Sequence, residues 1–338
     1  MPSLPMTRPQ LPRPVRLRST RVKAEPELEP VVPRQELAAH GLRWINIERP
    51  GSDEGAWLKG EFGFHSLDIE DVFSRNQRSK LDVYDEYLFL VMQLPGYEKV
   101  RRRLIALELD IFIGPDYLIT LPNRPIPPLE ALFERMSERP DLVESVFGRG
   151  SGYLLYEIVD ACVDASFPML RKMGLKLDQL EEDIFEETRT SEIVREINDL
   201  KQEIIAFRRI VRPQRAVLRD LERTKTRYLH AEDEIDIYFD DISDAAARIW
   251  DLLENYKEVI ESLEATNESV LSHRLNDAIK VLNAVSVLVL PATLIASIWG
   301  MNVQLPQVGG LADWWILMIV MVLTIVVTVV YMRRRGWL

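Results

Sequence analysis

A chain of 338 residues is long enough for one or two soluble domains beside a small membrane part. Its formal net charge of −11 argues against a nucleic-acid surface, which needs concentrated Lys and Arg. The single cysteine, Cys162, excludes an intrachain disulfide framework or a cysteine metal cluster, and the four histidines are too scattered to give a helical zinc-ligand spacing.

Residues 1–33 are rich in Pro and Arg and read as a disordered tail. They contain no apolar run that could serve as a signal-peptide core, so the soluble part is expected on the cytoplasmic side. Residues 34–150 read as a small α/β domain. Within it, 42–48 alternates like a strand, 54–62 and 66–73 read as short helices, and 87–94 returns to strand character. Segments 104–112 and 117–121 read as two strands joined across Gly114, Pro115 and Asp116. The polar residues of this domain form no nucleophile and base arrangement, and no Gly-rich phosphate loop follows a strand, so neither an enzyme nor an ATPase is expected.

Residues 151–242 form an expected helical region, with helical periodicity over 129–136 just before it and then over 152–170, 175–185 and 193–209; the last two suggest a long antiparallel pair. Glu181, Glu182, Asp183, Glu186 and Glu187 crowd one end of that hairpin, as a solvated tip or, alternatively, as a divalent-cation contact. Between 231 and 270 there are 13 Asp or Glu against two basic residues, Arg248 and Lys257, a local balance of −11. A solvated helix face and a cation-attracting vestibule both fit that excess. The pattern predicts one helix over 243–297, with 243–280 in the cytosol and an apolar stripe of Ile249, Leu252, Leu253, Tyr256, Ile260 and Leu263.

Residues 281–299 and 314–332 are two nineteen-residue stretches without a formal charge, each about 28 Å long as a helix and close to the hydrocarbon thickness. Arg274 and Lys280 precede the first, Arg333, Arg334 and Arg335 follow the second, and the connecting segment 300–313 carries only Asp313. Both basic ends, including the tail 333–338, are therefore expected in the cytoplasm, with 300–313 outside. In the first span and its approach, Asn276, Asn283, Ser286, Thr293 and Ser297 fall on one helical face. That face suits interhelical hydrogen bonds or a water-filled pore. Two helices cannot enclose a path, so a pore requires oligomerisation.

Residues 290–302 read LPATLIASIWGMN and the chain ends in RRRGWL. This resembles the CorA family of Mg2+ transport proteins, whose signature Gly-Met-Asn is matched by Gly300, Met301 and Asn302. RLNDAIKVL at 274–282 and FHSLDIEDVFSRNQRSKLDVYDEYLFLV at 64–91 resemble further family segments. The resemblance implies a cytosolic α/β domain, a long helical stalk and two C-terminal transmembrane helices, assembled as a funnel-shaped homopentamer in an inner or plasma membrane. It also implies a selectivity ring at Asn302, supported by Gly300 and Met301, and pore positions at Thr293, Leu290, Leu282, Ile279 and Asn276. Asn283, Ser286 and Ser297 join that lining by their shared polar face. The expected activity is passive, channel-like passage of hydrated Mg2+, with no resident cofactor. A Zn2+ transporter of the same superfamily, with or without proton coupling, is the first alternative; Co2+ is a further cargo. A non-conducting membrane-anchored scaffold or sensor is the second.

Two departures stand out. Ser297 replaces a Gly common in the family, and Ala265 occupies the place of an acidic residue in the family's regulatory divalent site. Glu264 or Glu268, paired with Glu98, is the expected substitute.

Overall fold

A computed structural model describes residues 34–48, 50–74, 78–98, 100, 103–186, 190–228, 235–301 and 311–335. The chain opens with a hairpin of β1 (Gln35–Ala39) and β2 (Leu42–Asn46), in which Ala39 faces Leu42. The two residues between them, His40 and Gly41, have φ of 52° and 82°. Two successive left-handed residues are what a tight hairpin turn with the native strand twist demands. Two helices follow, α1 (Ser52–Phe62) and α2 (Ser66–Phe73). The Gly51 N–H ahead of α1 donates to Glu54 Oε2 at 2.8 Å, satisfying a donor at the helix start.

Strands β3 (Lys80–Val83), β4 (Leu88–Glu98), β5 (Arg103–Ile113) and β6 (Tyr117–Pro122) complete a six-stranded sheet in the order β1-β2-β6-β5-β4-β3. All neighbours are antiparallel except β2 and β6. Side chains alternate across it. Phe89, Val91, Phe112 and Ile119 face Leu58 of α1 and Val72 of α2. Leu88, Leu90, Met92, Leu109 and Ile111 face the opposite way, into the larger core.

That larger core is roofed by α3 (Pro127–Glu138), α4 (Pro140–Phe147), α5 (Ser151–Asp164), α6 (Ser166–Asp183) and α7 (Thr190–Tyr228). It continues without a break onto the first half of α8 (Ile235–Trp299), where Phe239, Ile242, Ile249, Leu253, Ile260 and Leu263 are buried. At 65 residues α8 runs roughly 97 Å. The last helix, α9 (Leu311–Arg334), returns along it. Among the described helices, α8 and α9 are both long and apolar enough to cross a membrane.

The α/β domain, long helix and two C-terminal apolar helices expected from the sequence are observed. Three local differences have physical causes. The periodicity over 152–170 is split at Ala165, because α6 starts afresh with Pro168 in its first turn, where a missing N–H costs no hydrogen bond. Helix α7 does not end near Arg209 but passes through Pro213 to Tyr228. Beyond the proline, Val217, Leu218 and Leu221 are buried in the same core, which offsets a penalty of about 3 kcal/mol. Leu252, read as part of the α8 core stripe, is 37% exposed.

Candidate functional site

The membrane half of α8 has two unlike faces. Ala284 is buried, and Leu288, Pro291, Ala292 and Ile295 are half-buried. At about 100° per residue these five lie on one side, the side on which α9 packs. Asn276, Ile279, Leu282, Asn283, Ser286, Leu290, Thr293 and Ser297 are all exposed in the single chain. Their mean direction is on the order of 180° from the covered stripe. The polar face inferred from spacing is thus the face turned away from α9.

The hydroxyls on that face are already oriented. Ser286 Oγ donates to the Leu282 carbonyl at 2.9 Å and Thr293 Oγ1 to the Val289 carbonyl at 2.9 Å. With their protons committed to the helix, both oxygens present lone pairs outward. Lone pairs accept hydrogen bonds from the waters around a cation, whose hydrogens point away from the ion. Thr324 and Thr328 of α9 bond to their own helix in the same way, to Val320 and Thr324 carbonyls, and sit among Val, Ile, Leu and Met. This satisfies their donors where lipid offers no partner.

The exposed stripe does not stop at the membrane. Counting back from Asn276 in alternating steps of four and three reaches Ser272, Ser269, Ala265, Ser262, Glu258, Asn255 and Asp251, and every one is exposed. From Asp251 to Ser297 this is 46 positions, roughly 69 Å, with a strict seven-residue repeat. Such a repeat is the seam along which parallel helices wind around one axis. Here the seam is mostly small or polar, with Ile279 and Leu290 the exceptions, where a dry coiled coil would be apolar.

At its C-terminal end α8 closes with Gly300 N–H donating to the Ala296 carbonyl at 3.0 Å and Met301 N–H to the Ile298 carbonyl at 3.3 Å. Met301 is 58% exposed. Asn302 lies outside the described residues.

The three acids expected to regulate are placed as follows. Glu264 Oε2 accepts from Lys201 Nζ at 2.6 Å. Glu98 is flanked by Arg103 at 3.4 Å and Arg124 at 3.7 Å. Glu268 is exposed on α8. Among the described residues of one chain, no three His, Cys, Asp or Glu side chains converge to hold a metal ion. Two of the acids on α8 are answered by α7, Glu264 by Lys201 and Glu254 by Arg208 at 2.7 Å.

Sequence reasoning missed a different acidic patch, where α5 meets α8. Burial, followed by the neighbouring carboxylates Asp164, Asp241 and Glu157, pushes Asp160 up to about 6. Glu157, Asp160 and Asp164 share one face of α5 by spacing alone, but Asp241 lies some eighty positions on and joins them only through packing. A carboxyl raised in the folded state holds its proton there longer than in the unfolded chain. Its ionisation therefore removes stability as pH climbs from the ordinary value of 3.8 to about 6. Asp160→Asn is expected to raise the melting temperature at pH 7.5 and to leave it unchanged near pH 3.5; scanning calorimetry of the two proteins at both pH values checks this.

Comparison with known proteins agrees with this architecture. Residues 39–334 match the profile of the family described as CorA-like Mg2+ transporter protein. The cobalt/magnesium transport protein CorA of Thermotoga maritima is 28% identical over 297 residues, covering 87% of this chain and 83% of that protein. The metal ion transporter YfjQ of Bacillus subtilis, so named provisionally, is 28% identical over 295 residues, covering 87% and 89%. Among solved structures, the complete CorA magnesium transporter of Methanocaldococcus jannaschii superposes with a TM-score of 0.74 at 23% identity, covering 89% of this chain and 93% of that one. With a profile match running from the first hairpin to the end of α9, the chain belongs to the CorA-like Mg2+ transporter family.

Proposed function

We propose that this protein is a passive, channel-like conduit for hydrated divalent cations, Mg2+ first, in which the α8 helices of five copies surround one central path. The observation that carries the reading is the exposed, mostly polar stripe of α8, turned away from α9 and running from Asp251 to Ser297. In lipid such a face is costly, whereas around a shared axis it lines water. The family membership and the cobalt and magnesium cargo named for relatives support the choice of ion.

Mg2+ gives up its inner waters reluctantly and favours octahedral oxygen coordination. Carboxamide and hydroxyl oxygens at Asn302, Thr293, Asn283 and Asn276 would hold the ion through its waters. Leu282 and Leu290 would form apolar constrictions that close the path by dewetting. Both termini would lie in the cytoplasm, and ion gradient and membrane potential would drive transport. Divalent closure would act through acids between neighbouring cytosolic domains, with Glu268 the candidate that α7 leaves most accessible, and with Glu264 and Glu98 requiring their cationic partners to be displaced.

The test is Mg2+ and Zn2+ uptake into liposomes holding the purified protein, with and without a pH gradient. Mg2+ entry down its own gradient, insensitive to imposed pH, is expected. Zn2+ entry accelerated by protons would move the protein to the zinc branch. Flux of neither ion through a verified assembly would leave a scaffold or sensor.

A further inference from the structure

The α6–α7 hairpin carries a largely exposed apolar side chain near its tip. Phe185, just beyond α6, is 66% exposed, although its neighbour Ile184 is buried at 1%. The backbone at this position is tied to the long helix: the Phe185 carbonyl accepts from the Arg274 guanidinium of α8 at 3.2 Å. Arg274 precedes Val281, where the apolar span begins, by seven positions, or about 10 Å of helix. The polar layer on each side of the hydrocarbon core is roughly 5–8 Å thick. The Phe185 backbone, held to Arg274, therefore lies a few ångströms short of the headgroup layer, within a side chain's reach of it. A single exposed apolar side chain is ordinary on a protein surface; its height is what distinguishes this one.

Charge narrows the kind of surface. Glu181, Glu182 and Glu186 around the ring are all exposed. Carboxylates at that height are repelled by an anionic leaflet. They are tolerated by zwitterionic headgroups, whose ammonium groups supply a countercharge while the ring enters the interfacial layer, as aromatic side chains do.

We infer that Phe185 seats the tip of the α6–α7 hairpin on the headgroup layer of the bilayer, with a preference for zwitterionic over anionic phospholipids. This rests on the reading of α8 and α9 as membrane spans. The hairpin would then touch the membrane at one end and, through α7, the cytosolic half of α8 along its length, so that lipid and stalk are mechanically joined.

The experiment places a bimane fluorophore on the full-length protein in vesicles through Phe185→Cys, Gln202→Cys or Val327→Cys. The native Cys162 stays unlabelled because it is buried, with its thiol pushed up to about 12. Gln202 is an exposed site farther down α7, and Val327 is 59% exposed on α9. Lipids carrying a quencher at the headgroup should quench the label at 185 severalfold more than at 202, and more in phosphatidylcholine than in phosphatidylglycerol vesicles. Equal quenching at 185 and 202, with 327 quenched by chain-labelled lipid, would overturn the docking while leaving the spans intact. Stronger quenching at 185 in phosphatidylglycerol would overturn the lipid preference. An unquenched label at 327 would remove the span reading itself, and the docking with it.

Discussion

Asn302→Ala is expected to lower Mg2+ uptake at limiting ion concentration by about tenfold or more while leaving the oligomer in the membrane. In the proposed ring each carboxamide would hold the hydrated ion by hydrogen bonds worth about 1 kcal/mol net. Every 1.4 kcal/mol is about tenfold in occupancy, so a ring stripped of several such contacts falls well past that mark. The loss should be greatest at low Mg2+ and partly recovered at high Mg2+, because the change is in capture. Asn302→Gln, which keeps the amide but moves it by one methylene, should fall between. Radiotracer or fluorescent-dye uptake in vesicles of matched protein content gives the ratio; equal uptake and equal Mg2+ selectivity in wild type and Asn302→Ala would take the filter role away from this residue.

The largest stability effect is expected at Trp44→Ala, with a cost of about 3–5 kcal/mol. Trp44 is fully buried, and its ring meets Phe133 edge-on with centroids 4.8 Å apart. Its indole N–H donates to Thr120 Oγ1 at 3.1 Å, and the Thr120 hydroxyl donates in turn to Asn46 Oδ1 at 2.9 Å. The Asn46 amide then donates to Gln35 Oε1 at 3.2 Å. This chain crosses the one parallel pairing in the sheet, where Trp44 faces Leu118 and Asn46 faces Thr120. Truncation opens a cavity beneath α3 and removes the donor from a buried hydroxyl. With whole domains typically stable by only 5–15 kcal/mol, the variant should melt far below wild type. Trp44→Phe keeps most of the burial and should recover more than half of the loss; denaturant unfolding of the three proteins reads both steps. A melting curve for Trp44→Ala close to that of wild type would show that the cytosolic domain is held elsewhere.

Much of this architecture could be read from residue order alone, and the parts that could not share a cause. The helix entering the membrane was legible because 281–299 carries no charge and the flanking Arg and Lys mark its end. Polar spacing over Asn276, Asn283, Ser286, Thr293 and Ser297 already defined a face, and α9 packs on the other one. The strand β1, QELAA, has no β-branched residue, and β3, KLDV, is four residues long, so neither gives an alternating signal. Both are edge strands held by their partners rather than by propensity. Helix α4 is equally short, with eight residues beginning at a proline. At the site, the seven-residue seam on the N-terminal half of α8 was hidden because Ser262, Ala265, Ser269 and Ser272 are small and uncharged, giving neither a strong apolar nor a charge signal. Their exposure, beside Leu253, Ile260 and Leu263 buried on another face, is what makes the seam visible. Lys201 opposite Glu264 and Asp160 opposite Asp241 are likewise products of packing between distant helices.

The most direct test of the conduit is a comparison of two cysteine variants in vesicles taking up Mg2+, treated with a positively charged methanethiosulfonate reagent. Thr293→Cys lies on the exposed polar face and Leu288→Cys on the half-buried face against α9. Uptake through the first should be blocked, since a bulky fixed cation in the path excludes another, and uptake through the second should continue. Persisting uptake in a fully modified Thr293→Cys protein, or equal block at both positions, would contradict a path lined by this face of α8.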